Sequence, residues 1–185
     1  VYHGTEADVK AFKPSDGRQG GPRTNKWFFT DSTDVATTYA LAGDPAHYAP
    51  GGYLHGDLPD GANVMPVYLS LQRPLIVDAQ GGAWDAVPYA GKQWVMDDLA
   101  DHARDTNHDG LIVRNVYDTA SDTTDTVATT TYVAFKPGQI KSVFNRGDWN
   151  SRNPNVLAAS NRTRLAAASY VEEAIKDHNL RTLAD

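Results

Sequence analysis

Tyr2-His3-Gly4-Thr5 is the stretch of this chain best equipped to meet a ligand. Tyr2 and Thr5 favour an extended backbone, and Gly4 tolerates a close approach that a side chain would forbid. A polar ligand can therefore lie on bare main chain beside the His3 imidazole, which titrates near neutral pH. Phe28 and Tyr39 are a second pair of interest. Phe28 sits in the β-prone run Lys26-Trp27-Phe28-Phe29-Thr30, and Asp31 or Ser32 can cap a helix around Val35 to Leu41, in which Ala36 and Tyr39 share a face. A strand, a turn and a helix of this kind can bring the two rings together as a clamp for a flat ring, or as an ordinary core pair. A third stretch, Asp118 to Thr131, is rich in Asp, Thr and Ser without apolar period and leads into a buried strand, a usual place for substrate contacts.

The elements that must hold these groups read as follows. Phe12 to Arg23, broken by Pro14, Gly17, Gly20, Gly21 and Pro22, is expected to be a mobile loop, and residues 43–63 an excursion loop whose His47 and His55 lack metal-like spacing. Val64 to Leu71 alternates as a strand, followed by a short one at Leu75-Ile76-Val77. Lys92 to Arg104 carries Trp94, Val95, Leu99 and Ala103 at helical spacing with Asp97, Asp98 and Asp101 outward. Gly110 to Tyr117, Tyr132 to Phe135 and Gln139 to Val143 are further strands, and Leu165, Ala168, Val171, Ile175 and His178 mark an amphipathic terminal helix. Few helices among strands with hairpin-length gaps point to an α+β domain over residues 1–150, with a helical extension over 151–185 packing on it.

Composition narrows the function classes. The 185 residues with 41% hydrophobic content suffice for one core. Absence of cysteine removes disulfides, thiolate metal sites and thiol nucleophiles together. A net charge of -6 disfavours a broad grip on nucleic-acid phosphates. No metal site is expected. No apolar run reaches the length of a membrane span, and no leader is visible. Because residue 1 already reads as strand, the chain is expected to be part of a longer polypeptide, cytoplasmic or delivered into a target cell.

In order, these blocks resemble the ADP-ribosyltransferase fold in the branch shared by diphtheria toxin and the poly(ADP-ribose) polymerases. The blocks Tyr2 to Thr5, Trp27 to Asp31, Val67 to Leu71 through Pro74 to Asp78, Gly110 to Asn115 and Phe135 to Ser142 are similar to the ADP-ribosyltransferase domains of bacterial and phage polyvalent proteins and related toxins. In that branch two rings sandwich the nicotinamide at a separation of eleven, and Phe28 to Tyr39 gives 39 − 28 = 11.

The resemblance implies two small, mainly antiparallel sheets around an NAD cleft, flanked by helices. It implies that NAD is the co-substrate, that His3 bonds the adenine-side ribose, that the Gly4 main chain holds the carboxamide, and that Phe28 and Tyr39 stack on the ring. Thr5 and Thr30 would add hydrogen bonds. The Gly20-Gly21 loop would close over NAD, with Arg18 or Arg23 on the pyrophosphate. Where the family has a catalytic glutamate, this chain has Thr131, which brings no charge. Asp125, Asp122 or Asp118 would supply it, with Thr131 first by place and Asp125 first by chemistry, and Gln139 could bond a ribose hydroxyl. Three activities stay open: transfer of ADP-ribose to a macromolecule, protein rather than nucleic acid; hydrolysis of NAD; or a silent domain that binds NAD, ADP-ribose or a protein such as an immunity partner.

Overall fold

The computed structural model describes residues 1–5, 9–14, 25–41, 62–118, 127–145 and 149–157. Arg18, Arg23, the Gly20-Gly21 loop, Asp122, Asp125 and the expected terminal helix lie outside the described residues. In chain order the elements are β1 (Tyr2–Thr5), β2 (Trp27–Thr30), α1 (Thr33–Ala40), β3 (Asn63–Leu69), β4 (Leu75–Asp78), β5 (Val87–Tyr89), β6 (Lys92–Trp94), α2 (Met96–Asp105), β7 (Gly110–Val116), β8 (Thr129–Ala134), a 3-10 turn (Pro137–Gln139) and β9 (Ile140–Ser142).

Seven strands form one sheet in the order β4-β7-β8-β2-β1-β3-β9, antiparallel except for the β4–β7 pair, while β5 and β6 form a separate hairpin. The α+β class holds. There are two sheets as expected, but of very unequal size: one long sheet makes the scaffold and the second is only a hairpin.

Side chains alternate across a sheet, so the registers place Tyr2, Gly4, Phe28, Thr30, Thr131, Val133, Leu111 and Val113 on one face. On that face α2 lays down Met96, Leu99, Ala100 and Ala103, spaced three and four apart as one apolar stripe, to form a core with Leu75, Val77, Leu111, Val113 and Val133. The opposite face packs Trp27, Phe29, Met65, Val67, Ala134 and Ile140 with Phe12 and Val156. Phe12 is therefore not the start of a mobile loop. It is 4% exposed, seated edge-on against His3 with ring centroids 5.0 Å apart. Val156, just past residue 150, belongs to the same core, and its N–H donates to the Lys10 carbonyl at 3.0 Å.

The helical reading of Lys92 to Trp94 is corrected. Ala90 and Gly91 take positive φ of 51° and 79°, a two-residue hairpin turn that folds Lys92–Trp94 back on Val87–Tyr89. The helix begins only at Met96, where Asp97 and Asp98 meet the positive end of its dipole.

Candidate functional site

The ladder around β1 is uneven. Val1 and Val67 exchange both main-chain hydrogen bonds, at 3.0 and 2.8 Å. Bonded pairs alternate along an antiparallel ladder, so His3 and Thr5 turn their main chain to β3, while Tyr2 and Gly4 turn theirs toward β2. On that side β1 pairs with β2 only at Tyr2 and Thr30. Two residues along, the Phe28 carbonyl instead meets His3 Nδ1 at 2.8 Å. The ladder opens there, with the Gly4 main chain directed into the opening. A carbonyl only accepts, so Nδ1 carries the proton and Nε2 is the acceptor nitrogen of the neutral ring. Burial lowers the His3 pKa below 6.5, with the Phe28 bond opposing. The imidazole packs with Phe12 and Phe29 on the face opposite the Phe28 ring.

Gly4 is needed for packing as well. A Cβ there would stand 1.8 Å from the Ala36 carbonyl oxygen and 2.8 Å from the Ala40 nitrogen, so α1 lies directly on the β1 backbone. Ser32, not Asp31, caps that helix: its hydroxyl accepts from the Val35 N–H at 3.3 Å. Asp31 instead pins β8, accepting from the Thr130 N–H at 2.9 Å. Thr30 is buried and its hydroxyl accepts from the Ser32 N–H at 3.2 Å, holding the strand-to-helix turn.

From α1, Tyr39 reaches across to Asp118, donating its hydroxyl to Oδ1. Thr131 donates to Asp118 Oδ2 at 2.8 Å. Asp118 is 6% exposed, Thr131 1% and Tyr39 37%, so the ring lies on the solvent side of the other two. Phe28 stands diagonally from Thr131 on the same face and packs on the α2 core. The structure thus gathers Gly4, Phe28, Tyr39 and Thr131 on one face and adds Asp118 between the last two.

Asp118 arrives there through a β-bulge. Val113 pairs with Thr131 and Val116 with Thr129, so three steps on β7 span two on β8 (116 − 113 = 3, 131 − 129 = 2). Asn115 absorbs the extra residue at φ 52°. A one-residue slip exchanges the faces of everything after it, which brings Val116 and Asp118 to the Thr131 side. Strict alternation would have sent them away. Among the loop aspartates named from sequence, Asp118 is the one within the described residues. The signal that favours it is an asparagine, tolerant of positive φ, three residues before it.

Gln139 does something other than bond a ribose. Its Oε1 accepts from the Phe135 and Lys136 N–H groups at 3.0 and 2.8 Å, and its Nε2 donates to the Asp109 and Ser70 carbonyls at 2.7 and 3.4 Å. The amide is fully spent joining the ends of β8 and β3 to the start of β7. Thr5 lies at the end of β1 with its side chain on the His3 face. Two surface concavities lie elsewhere, one around the β5–β6 hairpin (Gln80, Pro88 to Gln93) and one among Val1, Tyr68, Leu71, Ile112 and Tyr132. Neither contains the Tyr39-Asp118-Thr131 group, which hydrogen-bond geometry identifies rather than depth. Among the described residues no three acidic or histidine side chains cluster to hold a metal ion, and no helix is long and apolar enough to cross a membrane.

An open main-chain edge at Gly4 and a hydroxyl-carboxylate group on one face suit a polar ligand bearing hydroxyls, with the His3 imidazole on the other face of the same strand. Comparison with known families is specific: residues 1–149 match the family described as ADP-ribosyltransferase in polyvalent proteins, and the chain belongs to that family. No curated protein and no solved structure matches it. ADP-ribosyltransferase domains use NAD as co-substrate, so family membership supports an ADP-ribosylating enzyme.

Proposed function

We propose that this domain is an NAD-dependent mono-ADP-ribosyltransferase that moves ADP-ribose to a macromolecular acceptor and releases nicotinamide. The observation that carries the reading is the opening of the β1–β2 ladder after Tyr2, with the Gly4 main chain directed into it and His3 held beside it by the Phe28 carbonyl. The Gly4 N–H and C=O offer the donor and acceptor that a carboxamide needs. His3 Nε2 accepts a ribose hydroxyl, and Phe28 and Tyr39 hold the nicotinamide ring, with Thr5, Thr30 and Arg18 completing the cradle.

In the reaction the bond from ribose C1′ to the nicotinamide nitrogen breaks, its electron pair leaving on nicotinamide. The oxocarbenium-like C1′ then takes a lone pair from the acceptor, whose proton passes to solvent. Orientation of the ring and ribose lowers that barrier. With a net charge of -6 and an acidic, hydroxyl-rich segment at 118–131, the acceptor is a protein rather than a nucleic acid. The setting is a toxin or effector unit of a larger bacterial or phage polypeptide, acting in the cytoplasm or delivered into a target cell.

Isothermal titration with NAD, mass spectrometry for free nicotinamide, and labelled NAD incubated with lysate test the reading. Label appearing in protein with stoichiometric nicotinamide is the expected result; absence of NAD binding overturns it. Thr131 in place of a carboxylate favours a second reading, a silent NAD-binding domain, which binding without nicotinamide release would establish. Nicotinamide without label would mark a hydrolase.

A further inference from the structure

We infer that Asp118, carried from the end of β7 and joined to Thr131, supplies the negative charge of the reaction that a single glutamate would otherwise provide; this rests on the transferase reading above. A buried carboxylate is costly unless a positive charge or full hydrogen bonding compensates it. Asp118 is 6% exposed, and its partners are the hydroxyls of Thr131 and Tyr39, with no ion pair to it among the described residues. Two hydroxyl donors leave part of its acceptor capacity unused. Nearby on the same face, the buried Thr129 hydroxyl has no hydrogen-bond partner among the described residues. Among the described residues no positive charge balances Asp118 and the neighbouring Thr129 hydroxyl lacks a partner, and an oxocarbenium-like ribose carries both a charge and hydroxyls.

The division of labour follows from the protons. Thr131 has one, and it is given to Asp118, so the remaining lone pairs of its oxygen are left to accept the ribose 2′-hydroxyl. As C1′ loses nicotinamide with the bonding electron pair, the positive charge developing on the ribose faces a hydroxyl polarised by the carboxylate behind it. Charge returns to neutral when the acceptor's lone pair closes on C1′ and its proton departs. No proton needs to leave Thr131 or reach Asp118. Tyr39, bonded to the other carboxylate oxygen, ties the stacking ring to the same charge. Asp118 is in this sense a positioning residue that acts through its two partners.

The test uses the full chain and reads nicotinamide release against NAD affinity. Loss of one preorganised electrostatic group costs on the order of 100-fold in turnover. Asp118→Asn is accordingly expected to lower kcat about 100-fold while the Kd for NAD moves less than about threefold. Adding Thr131→Glu to Asp118→Asn puts a carboxylate at the start of the reaction path again and should recover at least about tenfold. A merely structural role for Asp118 would not yield to that rescue. Asp118→Asn turning over within about threefold of the native chain overturns the inference, as does a double variant that binds NAD without recovery. Should Asp118→Asn fail to melt cooperatively, Thr131→Val decides, since unchanged turnover there equally overturns it. Native protein that binds NAD without releasing nicotinamide sinks this inference, whereas native protein that does not bind NAD sinks the transferase reading itself.

Discussion

One methyl group on Gly4 would stand 1.8 Å from the Ala36 carbonyl oxygen, which is backbone and cannot swing aside. Gly4→Ala must push α1 off β1. Overpacking of this kind costs roughly 1–3 kcal/mol, and a value at the upper end is expected, read as a lower urea midpoint with unchanged slope. Bound NAD would not restore it fully, because the strain is in the fold and not in the ligand contact. This residue shows what sequence can and cannot tell. That Gly4 requires a bare backbone was legible; that the approaching group is the α1 helix was not, since nothing local to Tyr2-His3-Gly4-Thr5 names its neighbour on the sheet face. Gln139 makes the same point from the other side. Its amide chemistry suits a ribose, and only the fold reveals that four main-chain groups already occupy it.

Among the elements, strands with plain alternation were legible to within a residue or two: β2, β3, β4 and β7 fall where apolar alternation and flanking breakers put them. Two of the failures share a cause, a residue at positive φ that resets the pattern. Ala90 and Gly91 turn a stretch with helical spacing into a hairpin, and Asn115 flips the face of Asp118. The bulge carries a prediction of its own. A β-branched residue held at positive φ costs about 1–2 kcal/mol, so Asn115→Val should either strain β7 or expel the bulge. Asn115→Gly keeps the conformation available and should stay within about 0.5 kcal/mol of the native chain. If the bulge aims Asp118, nicotinamide release should fall at least about tenfold in Asn115→Val and persist in Asn115→Gly. Equal release from both variants would separate the bulge from the chemistry.

For the molecule as a whole, stability should rise with pH from the acid side. Burial holds His3 below its ordinary 6.5 and Lys141 below its ordinary 10.5. For a base with a depressed folded pKa the unfolded chain binds more protons, so stability is lost as pH falls below the ordinary value. For His3 that window opens at 6.5 and extends down to its folded pKa. Melting temperature should drop between about pH 7 and pH 5, and the drop should be smaller in His3→Gln, the difference between the two curves isolating His3 from the carboxylates. Parallel curves would exclude it as the source. The contacts that define the site are also far apart along the chain: Tyr39 meets Asp118 across 79 positions and Asp31 meets Thr130 across 99. Closing such distances is among the slow steps of folding. Until β8 has joined the sheet, therefore, Asp118 lacks its Thr131 partner, and the three-residue group that also includes Tyr39 exists only once the late strands are in place.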